Sequence, residues 1–271
     1  MPELPEVEST RRGIERGAGG QRIRELRVHD HRLRWPIDTH MPAQVSGQRI
    51  VAVERRAKYL LLRIERGTLI LHLGMSGSLC LLPSQSPPLK HDHFELLLES
   101  GVSLRFNDPR RFGSLHYTSE DPARHRLLRR LAPEPLESSF DADYLYRITR
   151  KRRAAIKQVL MNGRLVTGVG NIYASEALFR ARISPRRAAR RLSRADCARL
   201  VRSVRAALTA AIRAGGTTLR NYVGTDGNPG YFRQRLYVYE RAGRRCRVCA
   251  TVVRRIRQGQ RSTYYCPTCQ L

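Results

Sequence analysis

CRVCATVVRRIRQGQRSTYYCPTC, residues 246–269, holds two Cys-x-x-Cys pairs separated by sixteen residues. Each pair is a tight turn that presents two thiolates to one ion, and the spacing fits a zinc ribbon ligated by Cys246, Cys249, Cys266 and Cys269. The residues between the pairs read as two short strands around a Gln-Gly turn. Four thiolates close the coordination sphere, so one structural Zn2+ is expected. Its task would be to stiffen a basic hairpin that carries Arg254, Arg255, Arg257 and Arg261. Cys80 and Cys197 stand alone and read as core or surface thiols.

Outside the hairpin, the charge is lopsided. The chain carries a net charge of +28. Residues 1–149 hold 23 basic and 19 acidic side chains, whereas residues 150–271 hold 28 basic and four acidic ones. A half-chain that basic repels itself unless it meets a polyanion, and nucleic acid is the partner its charge fits. No apolar run approaches the ~18 residues of a membrane span, and no basic-then-apolar leader opens the chain. A cytoplasmic, nucleoid-associated protein with no membrane contact is expected, and a monomer.

The pattern before the hairpin has two regimes. Residues 5–17 suit a short helix, with Val7, Thr10, Arg11 and Ile14 near one face and glycines ending it. From about 21 to 118, RIRELRV, RIVAVERRAKYLLLRI, TLILHLG, HFELLLES and VSLRFND show β-like alternation or compact apolar runs. Several short strands broken by turn residues suggest a sandwich or a barrel. LAPEPLESSFDADY, residues 131–144, reads as a linker. Beyond it ITRKRRAAIKQVLM, NIYASEALFRARI and SPRRAARRL read as helices, the last with Pro185 in its first turn. SRADCARLVRSVRAALTAAIRAGG is the strongest helix. Ser193 and Asp196 make a capping-box pattern, and Leu200, Val201, Val204, Leu208, Ala211 and Ile212 share its apolar face.

Three loops carry chemistry. LVTGVGNIYASE places two glycines and Asn171 at a helix start, where backbone N–H groups and the helix dipole can meet a phosphate. HLGMSGSL and NDPRRFG are turns that display Met75, Arg110, Arg111 and Phe112. Turn tips bury such side chains poorly, and apolar wedges beside arginine suit a protein that unstacks a base. The first residues, MPELPEVEST, read either as a stiff acidic tail or, with Met1 removed, as a free proline amine beside a carboxylate.

MPELPEVE, RRAKYLL, HLGMSG, KHDH, NDPRRFG, GVGNIYASEALF, GGTTLRNY, DGNPGYF and QRSTYYCPTCQ occur in this order. Together they closely resemble bacterial formamidopyrimidine-DNA glycosylases, over essentially the whole chain. The resemblance implies an α+β fold: an N-terminal β-sandwich bearing a short first helix, hinged to a helix–two-turn–helix domain with a four-cysteine zinc-finger hairpin, with DNA across the cleft. The expected boundaries are 1–133 for the sandwich, 134–149 for a linker, 150–234 for the helical domain and 235–271 for the finger.

The resemblance also implies a glycosylase and apurinic-site lyase acting on 8-oxoguanine and formamidopyrimidines in duplex DNA. It implies Pro2 as the nucleophile, Glu3 as the acid, Lys58 as a proton donor in β-elimination and Arg261 in δ-elimination. His91, Arg110, Arg152 and Asn171 match DNA-binding positions, and Met75, Arg110 and Phe112 the set that fills the void left by the flipped base. The stretch Thr217–Tyr222 matches the loop that closes on that base. Asn221 stands where Asp is common, and Ala250 follows the second zinc cysteine where Gly is usual. Two other readings share much of this pattern: an endonuclease VIII-like enzyme for oxidised pyrimidines, and a DNA-binding relative without catalysis. Leu4, Met75 and the Arg110–Phe112 pair favour the purine enzyme over the first; intact Pro2, Glu3, Lys58 and Arg261 argue against the second.

Overall fold

The computed structural model describes residues 2–216 and 236–271. Met1, the Thr217–Tyr222 loop with Asn221, and the DGNPGYF stretch lie outside the described residues. The chain divides into two compact units: of the described residues, 2–129 with 214–216 form one and 130–213 with 236–271 the other.

The first unit opens with helix α1 (Leu4–Ala18), whose Val7, Thr10 and Ile14 are buried. Eight strands follow: β1 (Ile23–Val28), β2 (Ile50–Arg56), β3 (Tyr59–Ile64), β4 (Gly67–His72), β5 (Ser78–Pro83), β6 (Asp92–Leu98), β7 (Val102–Asn107) and β8 (Ser114–Thr118). A five-residue helix, α2 (Met41–Val45), lies between β1 and β2. The strands pair antiparallel into two four-stranded sheets, β1-β6-β7-β5 and β2-β3-β4-β8. One apolar cluster joins both sheets, with Leu26, Phe94, Leu96, Leu104 and Phe106 from one and Val53, Leu60, Leu62, Leu69 and Leu71 from the other. Burying these faces against each other makes the expected sandwich. RIVAVERRAKYLLLRI splits into a β2–β3 hairpin. Ala57, with φ +57°, turns the chain there and places Lys58 at the tip.

The second unit holds α3 (Ala142–Thr149), α4 (Ile156–Leu160), α5 (Asn171–Arg180), α6 (Arg194–Arg213) and the hairpin β9 (Arg254–Gln258) with β10 (Arg261–Tyr265). Helix α6 follows its sequence pattern. Ser193 N–H donates to Asp196 Oδ2 at 2.9 Å and Asp196 N–H to Ser193 Oγ at 3.1 Å, closing the capping box. Within residues 134–149, Ala142–Thr149 is helical and Phe140 is fully buried.

Two expected helices are corrected. ITRKRRAAIKQVLM is broken between α3 and α4, and SPRRAARRL yields only a 3-10 turn at Ala189–Arg191. Both departures have one cause, because the two segments hydrogen-bond to each other instead of coiling. Ile156 N–H donates to Arg187 O, Ala189 N–H to Ala154 O and Arg190 N–H to Arg152 O, at 2.8–3.0 Å. Backbone donors satisfied across the unit outweigh the helix propensity of an Arg- and Ala-rich run.

Candidate nucleic-acid interface and catalytic turn

Pro2 and Glu3 lead directly into α1, and both are buried. Glu3 is the N-cap: its carboxylate accepts the Glu6 N–H, and Glu6 Oε2 accepts the Glu3 N–H at 2.8 Å. This reciprocal box satisfies helix-start donors that would otherwise be orphaned, and the positive end of the helix dipole favours both carboxylates. Glu6 is fully buried and Glu3 is 2% exposed, so the residue next to Pro2 is fixed in place. Pro5 stands in the first turn, where its missing N–H costs nothing.

Lys58 is half-buried at the β2–β3 turn. Its neighbour Tyr59 pairs with His72 of β4, their rings 4.8 Å apart. His72 Nδ1 accepts the Gly74 N–H at 2.9 Å, which puts its ring proton on Nε2. Burial, with the charges of Lys58 and Arg34 beside it, lowers the His72 pKa to about 4. The imidazole next to Lys58 is therefore neutral at pH 7.

The two wedge loops of this unit are built on one buried carboxylate. Asp108 is fully buried and takes Ser76 Oγ–H at 2.6 Å, the Gly113 N–H at 2.7 Å and the Arg110 N–H at 3.3 Å. It thereby fastens the turn that carries Met75 to the turn that carries Arg110 and Phe112. Gly74, φ +65°, lies so close to the Phe112–Gly113 backbone that a Cβ would come within 2.4 Å of Gly113 N. Phe112 remains 43% exposed, with the Arg110 guanidinium 5.1 Å from its ring centre. His91 is exposed at φ +74°, and its carbonyl accepts the Asp108 N–H at 3.0 Å. Met75, His91, Arg110 and Phe112 thus share one supporting network.

In the second unit, Asn171 is the first residue of α5, and Lys157 holds its side chain. The Lys157 ammonium, on a side chain only 1% exposed, donates to Asn171 Oδ1 at 2.5 Å, Thr263 Oγ1 at 2.7 Å and Ser262 O at 3.1 Å. It joins α4, the start of α5 and strand β10, whose exposed first residue is Arg261. With Oδ1 occupied, the Asn171 amide presents N–H donors. Glu176 of α5 accepts the N–H groups of Tyr237, Val238 and Tyr239 at 2.9–3.0 Å, tying the helix to the chain that enters the finger. Burial pushes its carboxyl pKa up despite these three bonds. Arg152 is exposed, its Nε–H bonded to Ile148 O.

The four hairpin sulfurs lie within 4.8 Å of one another, with Cys249–Cys266 at 3.4 Å and Cys246–Cys269 at 4.0 Å. Tetrahedral zinc with bonds of about 2.3 Å needs S···S near ~3.8 Å, so the set fits one ion with no open position. Ala250, the departure noted above, adopts φ +61°, a conformation that glycine takes without strain.

Family models match nearly the whole chain: the formamidopyrimidine-DNA glycosylase N-terminal domain over residues 1–115, the H2TH domain of the same enzyme over 131–223, and a zinc finger found in FPG and IleRS over 243–271. The chain belongs to the formamidopyrimidine-DNA glycosylase family. The formamidopyrimidine-DNA glycosylase of Stutzerimonas stutzeri is 57% identical over 270 residues, covering 100% of both chains. The crystal structure of MutM (Fpg) from Thermus thermophilus is 42% identical, with a TM-score of 0.89 over 99% of this chain and 98% of that one. A Lactococcus lactis Fpg variant in complex with Fapy-dG-containing DNA is 32% identical, with a TM-score of 0.93 over 99% of each chain.

In this family member, Met75, Arg110, Phe112 and His91 meet through Asp108 in one unit, and Asn171 and the Arg261 strand meet through Lys157 in the other. Asp108, Lys157 and Glu176 escaped the reading of the sequence. Asp108 lies inside NDPRRFG, but its bond to Ser76 spans 32 residues and leaves no local pattern. Lys157 had a usable signal: it is one of four lysines beside 47 arginines.

Proposed function

We propose that this chain is a bifunctional DNA repair enzyme that excises 8-oxoguanine and formamidopyrimidines from duplex DNA and then cuts the strand by β- and δ-elimination. The observation that carries the reading is the Pro2–Glu3 turn, clamped by Glu6 and buried at the start of α1, in a chain with full-length likeness to the family. Once Met1 is removed, Pro2 offers a secondary amine. A free α-amino group has a pKa near ~8, so a usable fraction is neutral at pH 7.

That neutral amine attacks C1′ of the damaged nucleotide. The glycosidic bond breaks, its electron pair leaves with the base, and the base takes up a proton. Glu3, as the acid, protonates O4′ as the sugar ring opens, and the Pro2 adduct becomes an iminium. The iminium is cationic whatever the pH, and it draws electrons from the C2′–H bond. Loss of the C2′ proton expels the 3′ phosphate; loss of the C4′ proton then expels the 5′ phosphate, and water releases Pro2. Lys58 serves proton transfer in the first elimination and Arg261 in the second.

Met75, Arg110 and Phe112 fill the void left by the flipped base, Arg110 facing the orphaned cytosine. His91, Arg152 and Asn171 hold the DNA backbone. The zinc keeps the Arg261 hairpin rigid and takes no part in the chemistry. The unit that holds residues 2–129 serves as the catalytic domain, and the helices of the unit that holds 130–213 as the DNA-binding domain. A charge this positive suits work at the nucleoid.

The test is a duplex holding one 8-oxoguanine opposite cytosine beside one holding thymine glycol. Cleavage of the first, leaving a one-nucleotide gap, is expected. Preference for thymine glycol would make this a pyrimidine enzyme, and binding without cleavage would make it a damage sensor.

A further inference from the structure

His91 ends a loop whose backbone is held at four points by the side chains of Arg105, Asp92 and Asn107. Arg105 of β7, 3% exposed, bonds Glu95 Oε2 through Nη2 at 3.0 Å and lies 3.5 Å from Asp92 Oδ2. Its remaining donors turn to the loop: Nη2 also reaches Ser86 O at 2.7 Å, and Nη1 reaches Pro87 O at 2.8 Å. Asp92 returns the tie, accepting the Leu89 N–H at 2.7 Å. Asn107 bonds both Asp92 Oδ1 and Lys90 O at 2.8 Å. At the end of this run His91 keeps φ +74°. A non-glycine residue persists there only where its surroundings over-determine it.

A buried guanidinium with two carboxylate neighbours is a costly arrangement for stability alone, since apolar side chains of equal volume commonly do as well. Here the planar fork does something those could not. It reads two carbonyls at the start of the loop, where Asp92 and Asn107 do not reach, and so helps fix where His91 emerges. We infer that Arg105 is a positioning residue for DNA binding, setting the 86–91 loop through its carbonyl contacts so that His91 meets the phosphate backbone pre-organised. This rests on reading His91 as a DNA contact. The Asp108 carboxylate fastens the Met75 and Arg110–Phe112 turns, and His91 meets that network only through its carbonyl on the Asp108 N–H, so Arg105 should govern affinity and leave the choice of opposite base alone.

Arg105→Lys keeps a cation beside Asp92 and Glu95 but cannot make the forked contacts. In the full chain it should raise the Kd and KM for lesion duplex by about three- to tenfold, with kcat at saturating DNA and the preference for cytosine opposite the lesion unchanged. Hydrogen exchange at the Leu89 and His91 amides should speed up. His91→Ala should raise Kd similarly, and the double variant should be no worse than the weaker-binding single one, because the two act through one contact. Should Arg105→Lys fail to fold, Pro87→Gly loosens the same loop without touching the buried pair, and the same rise in Kd is expected. Unchanged exchange, an unchanged Kd in folded variants, or effects that multiply in the double variant would overturn the inference. Failure of the DNA-contact reading looks different: His91→Ala leaves Kd unchanged, and exchange alone then decides whether Arg105 sets the loop.

Discussion

Ser76 Oγ donates to Asp108 Oδ1 across 2.6 Å, and through that one bond the turn carrying Met75 is fastened to the turn carrying Arg110 and Phe112. Met75 is held as a set with Arg110 and Phe112, from a second turn distant in sequence, by a residue that touches no DNA in the proposed reading. The bond is charge-assisted and buried, so it is among the stronger kinds.

Asp108→Asn should therefore loosen both turns together. A loss of about 1–3 kcal/mol is expected from the weakened bonds to Ser76, Gly113 and Arg110. Excision of 8-oxoguanine opposite cytosine should fall well below cleavage of a pre-formed abasic site, which has no base to replace. Equal loss on both substrates would place Asp108 in general stability only.

Lys157→Met removes a buried ammonium and strands the Asn171 amide oxygen, Ser262 O and Thr263 Oγ1. A cost of roughly 2–4 kcal/mol is expected. With strand β10 loosened beside Arg261, the product mixture on gels should shift from the δ- to the β-elimination product. A variant with unaltered product ratio and lowered thermal stability would separate Lys157 from Arg261.

Acid should destabilise the first unit before it reaches the carboxylates. Burial, chiefly, lowers the pKa of both His72 and His116 to about 4, against an ordinary value of 6.5. The unfolded chain then binds more protons than the folded one between these values. Stability is complete above pH 6.5 and falls as pH drops toward 4, by on the order of 1–3 kcal/mol per histidine and less for His116, which keeps more solvent contact. His116 Nε2 is buried without a hydrogen-bond partner among the described residues, and its ring lies edge-on to Trp35 at 5.4 Å. His116→Phe should keep the ring packing and flatten the decline of Tm between pH 6.5 and 4.5. An unchanged slope would contradict this.

Removal of the metal should unfold the finger locally. Metal analysis should find one zinc per chain, and a strong chelator should abolish strand cleavage while the sandwich keeps its near-ultraviolet signature from Trp35. Cys249→Ser should behave as the chelated protein does. Full cleavage by a zinc-free chain would remove the finger from the reaction.

The sandwich, α1, α6 and the zinc hairpin were legible because each is written locally: alternation for strands, a capping box for α6, fixed cysteine spacing for the finger. The helices expected over 148–161 and 184–192 were misread because their backbones pair with each other, and no local pattern encodes that. Pro2, Glu3, Lys58, Met75, Arg110, Phe112, Asn171 and Arg261 could be named as candidates because they sit in motifs. Their supports could not. Asp108 ties its own turn to Ser76, 32 residues away, Arg105 acts through partners 10–19 residues away, and Lys157 through Thr263, 106 residues on. Such contacts exist only once the strands are in register.

The whole reaction turns on the amine of Pro2 forming the covalent link to DNA. Borohydride reduction during reaction with an 8-oxoguanine:cytosine duplex, followed by proteolysis and mass spectrometry, tests this without intermediaries. A stable adduct on a peptide beginning at Pro2 is expected. An adduct on a lysine, or none while the strand is still cut, would contradict it.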